Sequence, residues 1–440
     1  MHELNLSTRP NRSPLSARAL QNSNSERSLA ASKFNDGEFY YAECHELRAK
    51  SGYESPQVNC PVTDISKCSR RGFCGVWHPH VVKRLQLAYA AIMTSAPKVR
   101  TNAAENQHYV PKFILRNFLA DEARGQVSVF DKQNGKSFPT SISNIMAERR
   151  FNDFQVNDGW RVSFEPAAGK VEEQVLATYR RVVASGRLER TVEEQSDLAL
   201  LISFQFLRAK AHRDLWLQVD QMIADKTTEL GFKVENIEGW VPPTEDNIKA
   251  RHLEGMRKSL AEFSTIIFHK DMMLVRAAPG RSYYLGDNPV ALHNDQKFGP
   301  YGNLGLSVPG IQLYLPLSAD LVLCAFCPSI FGKAREAYDK GMQAARTEAF
   351  SAFSAGRISA EWMRKTIETA KRSVAPQTEM LRHFEEGSAY PATNDLMDFN
   401  NSLEVKYASR FIVCKNSDFA LAKRFVKEFP NAQGGKIQVN

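Results

Sequence analysis

Between residues 171 and 190 apolar side chains return every three or four positions, and Val171, Val175, Tyr179, Val182 and Val183 fall on one helical face. Thr191-Val-Glu-Glu194 follows, a capping box in which a hydroxyl and a carboxylate can satisfy the first free N–H groups of a helix. It predicts a long helix through Leu198, Leu201, Ile202 and Leu207 toward Met222. Another helix is expected after Pro243-Thr244, with Ile248, His252, Leu260, Phe263 and Ile267 spaced for burial. Then the period changes. Residues 272–276, 283–285, 311–315 and 321–327 are short apolar or alternating runs bounded by Gly, Pro, Asp and Asn, which predicts strands. Helical spacing returns over 332–355, 359–383 and 393–410, a short strand is expected over 411–414, and a last helix lies near 418–428.

The opening of the chain has a different texture. Up to about residue 32 it is rich in Ser, Asn and Arg with little apolar periodicity, so burial cannot offset the entropy of ordering it. Residues 33–82 carry scattered aromatics, and only 81–92 shows helical spacing. Met93 then opens Met-Thr-Ser-Ala-Pro-Lys-Val-Arg, which would serve as the start of a protein. The expected organisation is an N-terminal extension over 1–92, largely disordered and separable from the functional product, followed by one domain over 93–440. Because helices and strands segregate instead of alternating, the fold class expected is α+β. It would be a predominantly helical single domain with a small mixed or antiparallel sheet, preceded by a poorly ordered N-terminal arm.

Composition bounds the function. With 440 residues, 43% of them hydrophobic, the chain can bury a sizeable core. It carries no run of eighteen apolar residues and no hydrophobic stretch in its first thirty, so neither a membrane span nor a secretory signal is expected. Seven scattered cysteines fit a reducing cytoplasm better than a disulfide framework. The net charge of +8 invites a nucleic-acid partner, but 12 Lys+Arg against 8 Asp+Glu fall in residues 1–92 and 45 against 41 in the remainder. The folded part is thus close to neutral for its size, and overall charge does not support nucleic acid there.

Two cysteine patterns carry candidate chemistry. Cys60, Cys68, Cys74 and His78 are spaced C-x7-C-x5-C-x3-H, a donor set that satisfies tetrahedral zinc and resembles the CCCH fingers that bind RNA. Against this stand the displaced Gly72, Val76 where an aromatic is usual, and the single copy; chance spacing is the better explanation. The second pair, Cys324-Ala-Phe-Cys327, lies in a strand pattern whose positions three apart point to opposite faces, which predicts structural cysteines and no redox pair.

Two polar segments stand out from the rest. In Gln107-His108-Tyr109-Val110-Pro111, His108 could act as a general base or metal ligand, with Tyr109 and Arg116 as neighbours that position an anion, or could hydrogen-bond backbone and cap a helix starting near Pro111. Leu285-Gly286-Asp287-Asn288-Pro289-Val290 places an acid and an amide at a strand end, where turn chemistry is the plainer explanation. These two segments, with Arg116-Asn117-Phe118, Val129-Phe130-Asp131-Lys132, Ala147-Glu148, Gln205 with Arg208, Leu315-Pro316-Leu317-Ser318, Asn401-Ser402-Leu403 and Arg410-Phe411, occur in an order that resembles the mainly bacterial family known as domain of unknown function 4238. The resemblance covers residues 104–420 and implies a domain boundary, with no activity attached. One departure is that Leu285-Gly286 stands where members tend to have Thr-Ser, which removes two hydroxyls beside Asp287.

Three functions compete. One is an enzyme acting on a phosphate-containing substrate, in its most specific form a metal-dependent nuclease-like hydrolase. His108 and Asp287 would be catalytic, and Tyr109, Arg208, Asn288, Asn401 and Arg410 would bind substrate, with Glu148 nearby. Another is a non-catalytic module that binds a protein or small molecule, the same residues serving as structural hydrogen-bonders. The third is an RNA-binding zinc segment on a scaffold. No P-loop, nucleophile elbow or H-E-x-x-H is present to decide among them.

Overall fold

In a computed structural model of the chain, the residues described are 98–99, 106–156, 160–298, 302–373, 375–430 and 432. The N-terminal arm over 1–92, the helix expected over 81–92, and Cys60, Cys68, Cys74 and His78 lie outside them. The described chain begins with short strands: β1 (Lys98–Val99), β2 (Asn106–His108), the single turn α1 (Lys112–Leu115), β3 (Gln126–Asp131), β4 (Ser137–Ser141), β5 (Ala147–Arg149), β6 (Asp153–Val156) and β7 (Trp160–Ser163). Four helices follow, α2 (Glu165–Ser185), α3 (Val192–Arg208), α4 (Lys210–Glu229) and α5 (Glu245–Phe268). Next come strands β8 (Asp271–Arg276), β9 (Tyr284–Gly286), β10 (Ala291–His293), β11 (Gln312–Ser318) and β12 (Leu321–Phe326). The last part holds α6 (Ser329–Ser354), α7 (Ala360–Ser373), α8 (Ala375–Glu386), β13 (Tyr390–Pro391), α9 (Asn394–Tyr407), β14 (Phe411–Cys414) and α10 (Ala420–Glu428).

The fold is α+β. Its largest sheet has the order β10-β11-β12-β8-β13 and is antiparallel except for the parallel β13–β8 pair. All six residues of β12 are buried, which is why that segment forms an unbroken apolar run in the sequence. Alternate residues serve two cores. Leu313, Leu315, Leu317, Leu321 and Leu323 face α2, α3 and α5, where Val171, Tyr179, Leu198, Ile202 and Ile267 complete the same cluster. Tyr314, Val322, Cys324 and Phe326 face the other way, onto Phe331 of α6, Leu381 of α8 and Met397 of α9. The sheet is therefore a middle layer between helices. A second sheet, β4-β3-β14-β9, packs Phe130, Tyr284 and Ile412 against Val405 of α9 and Ala422 of α10.

Most expected elements form where the apolar period placed them, and the deviations have physical causes. The capping box is present: the Thr191 hydroxyl accepts from the Glu194 N–H at 3.1 Å, while the Glu194 carboxylate reaches back to the N–H groups of Glu189 and Arg190, both at 2.9 Å. The helix it starts does not run to Met222. The Leu207 carbonyl accepts from the His252 ring at 2.7 Å, Ala209 turns extended at ψ 144°, and a fresh helix begins at Lys210. Burial holds His252 well below the ordinary histidine pKa, so the ring is neutral, with the Nε2 hydrogen on Leu207 and Nδ1 accepting from Arg213 at 3.3 Å. The helical spacing over 359–383 is met by α7, described to Ser373, and α8, described from Ala375. Among the described residues no helix is long and apolar enough to cross a membrane.

Candidate functional site

The Gln107-His108-Tyr109-Val110 segment is clamped on every side. The Gln107 side chain donates to Asp153 at 2.8 Å and accepts from the Asn152 N–H at 2.6 Å. The His108 ring sits on the Ile142 carbonyl at 2.8 Å, and burial lowers its pKa against that hydrogen bond, so it is a neutral donor. Arg208, buried, donates to the His108 carbonyl and to Glu172, both at 2.5 Å. Gln205 donates to the Tyr109 carbonyl at 3.0 Å, and the Tyr109 N–H donates to Met146 at 3.1 Å. His108 and Arg208 thus each spend a donor on a backbone carbonyl. Arg208→Met is expected to cost about 2 kcal/mol, the loss of charge-assisted bonds that leaves a buried carbonyl unpaired; urea denaturation checks it through a lower midpoint at unchanged slope.

Asp287 occupies an equivalent place on the second sheet. Its carboxylate accepts from three successive backbone N–H groups, Ser409 at 2.7 Å, Arg410 at 2.9 Å and Phe411 at 3.0 Å, and so ties β9 to the turn between α9 and β14. Burial pushes the Asp287 pKa up, while those hydrogen bonds and the nearby Lys132 charge pull it down. Lys132 spends its own donors on the Val405, Ala408 and Ala432 carbonyls at 2.6, 2.5 and 3.3 Å, closing the end of α9, and burial brings it to about 8. Asn401 is also structural: it accepts from the Tyr284 N–H at 2.8 Å and donates to Ser282 at 3.1 Å. Asn288 makes a longer contact, 3.4 Å, to the Tyr407 carbonyl.

Gly286 packs closely against Glu404. A Cβ at Gly286 would lie 3.1 Å from Glu404 Oε2, and that oxygen accepts the Gly286 N–H at 2.8 Å. Glu404 is fully enclosed, its other oxygen has no partner, and burial together with the Asp287 charge holds its pKa well above the carboxylate range. It is a neutral acid filling the space that a side chain at 286 would take.

What remains free for chemistry converges on Tyr109. Its ring is buried against Phe151, and among the described residues its hydroxyl has no hydrogen-bond partner. Burial raises the phenol pKa far above its usual value, the Asp287, Glu148 and Asp214 charges raise it further, and Arg410 acts in the opposite sense. These groups come from four elements. Glu148 sits in the middle of β5, paired across from Gln107, and β5 is flanked by two non-glycine residues in the left-handed region, Met146 at φ 53° and Arg150 at φ 59°. Such backbone is costly and persists where surrounding structure enforces it. Lys210 and Asp214, one turn apart, lie at the new start of α4; Lys210 holds Glu148 at 2.6 Å. Asp214 has no hydrogen bond or ion pair among the described residues, and burial, opposed by Lys210, raises its pKa. Arg410 anchors on Asp131 through Nε at 3.1 Å and Nη2 at 2.9 Å, with its side chain nearly half exposed.

Of the residues singled out in the sequence, the structure gathers Tyr109, Glu148, Asp287 and Arg410 at this junction. The His108 ring and Arg208 belong to the brace behind it, and Asn401 to the base of β9. Lys210 and Asp214 were not anticipated. The signal available was the run Lys210-Ala-His-Arg-Asp214, four ionisable groups in five residues inside an otherwise apolar helical stretch. Among the described residues no group of three or more His, Cys, Asp or Glu could hold a metal ion. A surface groove of about 650 Å³ runs along α6 past Tyr338, Met342 and Phe350, and none of the junction residues lines it.

These features define an α+β protein in which two braced motifs present a tyrosine to a mixed set of carboxylates and cations. The family model described as protein of unknown function, DUF4238, matches residues 106–418, and the chain belongs to that family. No curated protein and no solved structure matches it.

Proposed function

We propose that the Tyr109 junction is the active site of an enzyme acting on a phosphate-containing substrate, with the chemistry moved from His108 and Asp287 onto their neighbours. The observation that carries this reading is the contrast between two adjacent carboxylates. Glu148 is held by Lys210, while Asp214 is partly buried, unpartnered and raised in pKa. A half-buried carboxylate that no cation holds, beside one that is held, is the kind of group from which a general acid–base catalyst is drawn. In this scheme Asp214 moves the proton, the Tyr109 hydroxyl orients the reacting oxygen, and the exposed edge of Arg410 takes the anion. His108, Asp287, Arg208 and Asn401 are positioning residues. Among the described residues no ligand set supports the metal-dependent, nuclease-like form of the reading, and no step here uses a metal.

The test is phosphate release from a panel of nucleotides, simple phosphomonoesters, DNA and RNA, with and without Mg²⁺ or Mn²⁺. Asp214→Asn and Tyr109→Phe should each lower turnover roughly hundredfold or more, the usual worth of a positioned acid–base group, with unchanged unfolding midpoints. Equal activity in wild type and both variants would sink the proposal. The second reading, a binding module, is favoured by the structural commitment of His108 and Asp287. Saturable binding lost in Tyr109→Phe, with no turnover of any compound, would establish it instead.

A further inference from the structure

The helices α6 and α7 form an arm. α6 enters the core through Phe331 near its start, where the ring stacks on Phe384 at 4.2 Å. Phe353 follows 22 residues later, about 33 Å along the helix. Between them only Met342 and Ala349 are buried, and neither belongs to a core cluster. α6 packs on α7 and, less closely, on α8; the least exposed side chains of α7 are Met363, Ile367 and Ala370, at helical spacing. The arm is thus held together along its own length, and its far end lies remote from the cores.

That end carries Phe350 at 52% exposure, Phe353 at 42% and Trp362 at 60%, three large aromatic side chains within 13 residues, on both sides of the turn between the helices. Single exposed hydrophobes need no explanation, but a group of them at one end of an arm does. The turn is well braced. The Gly356 N–H donates to the Phe353 carbonyl and the Arg357 N–H to that of Ala352, both at 2.9 Å, with Gly356 at φ 68°, and the Ser359 hydroxyl accepts from the Trp362 N–H at 3.2 Å to start α7. No acidic residue occurs from 349 to 360. Arg346, Arg357 and Arg364 are exposed, and among the described residues their side chains make no hydrogen bond or ion pair; Lys365 lies over the Trp362 ring at 5.3 Å. The nearest acids are Glu348 and Glu361, so residues 346–365 hold four cations against two carboxylates.

We propose that this tip docks on an anionic lipid surface. Phe350, Phe353 and Trp362 enter the boundary between headgroups and acyl chains, a depth of about 5–10 Å at which aromatic rings are favoured. The arginines and Lys365 stay at the level of the lipid phosphates. The charge tells against a second copy docking tip to tip, which would set the cations of one tip against those of the other. A nucleic-acid strand would pair with the cations but gain nothing from the small apolar turn, Ala355-Gly356 with Ile358. The inference is independent of the Tyr109 reading and uses none of its residues.

Full-length protein should float with vesicles of phosphatidylcholine and phosphatidylglycerol and far less with phosphatidylcholine alone, and added salt should shrink the difference. Replacing both exposed rings, Phe353→Ser with Trp362→Ser, should weaken binding to the mixed vesicles about tenfold or more at an unchanged unfolding midpoint. Arg357→Glu should weaken the preference for anionic lipid. Brominated lipid should quench the tryptophan fluorescence of the wild type, and Trp362→Phe, which still binds, should abolish that quenching and so exclude the other four tryptophans. No flotation with anionic vesicles, equal flotation with neutral ones, full binding by the double variant, or quenching that survives Trp362→Phe would each overturn the proposal. Dimers or single-stranded DNA complexes that depend on the tip, in a protein that ignores vesicles, would overturn it likewise.

Discussion

Asp287→Ala is expected to destabilise the protein by about 3–5 kcal/mol, the cost of stranding buried donors whose charged partner has gone. Three consecutive N–H groups, from Ser409 to Phe411, lose their acceptor at once, and the buried Lys132 loses the charge that supports it. Against a total stability on the order of 5–15 kcal/mol this is a large fraction. Asp287→Asn, which keeps one acceptor oxygen, should fall between the variant and wild type. Urea denaturation followed by circular dichroism measures both. The sign matters for function as well as stability. Catalytic groups are commonly held in environments that cost stability, so their removal tends to be neutral or favourable. A wild-type midpoint in Asp287→Ala would therefore return Asp287 to the list of catalytic candidates and remove it from the brace.

Glu404→Gln should make the protein more stable than the wild type at pH 8, and equal to it near pH 4. The sign follows from linkage. In the unfolded chain this glutamate loses its proton at an ordinary pKa, about 4.3. In the native state burial and the Asp287 charge keep it protonated to a much higher pH. Between those values the native state binds the extra proton, so stability falls as pH rises, by up to about 1.4 kcal/mol per pH unit. Glutamine keeps the oxygen that accepts the Gly286 N–H and carries no proton to lose. The flattened pH dependence is as diagnostic as the shift itself. A variant less stable than wild type at pH 8, or with the same slope, would show that Glu404 is ionised in the native protein.

The central elements were legible because burial wrote them into the sequence. β12 is apolar at nearly every position since both its faces are covered, and α2 keeps a single buried stripe. The candidate site was only half legible. Tyr109, Glu148 and Arg410 lie in motifs that stand out as polar groups beside apolar runs. Asp287 looked like turn chemistry, and its role as a three-fold acceptor depends on backbone more than 120 residues later, which has no local signature. Lys210 and Asp214 were hidden for a different reason. Ala209, where α3 stops, is itself a strong helix former, and nothing near it in sequence signals a break. The break accompanies the bond between the Leu207 carbonyl and His252, 45 residues ahead, so a tertiary bond overrides local preference and reorients the segment that carries both residues.

The turn around Ser409–Phe411 also bears on when the protein acquires its function. Arg410 reaches Asp131, and its backbone reaches Asp287, so one short turn joins parts of the chain separated by 279 and 123 positions. Contacts of such separation are slow to form, because the loops they close must be ordered first. During synthesis the Tyr109 brace can assemble against α3 long before residue 410 leaves the ribosome, but the side of the junction that carries Arg410 cannot. A nascent chain arrested before β14 would hold a formed helical core and an open β9 edge, a species exposed to aggregation. Limited proteolysis of ribosome-bound chains should show the region around α3 protected well before β9, with protection of β9 appearing only after residues 411–414 have emerged.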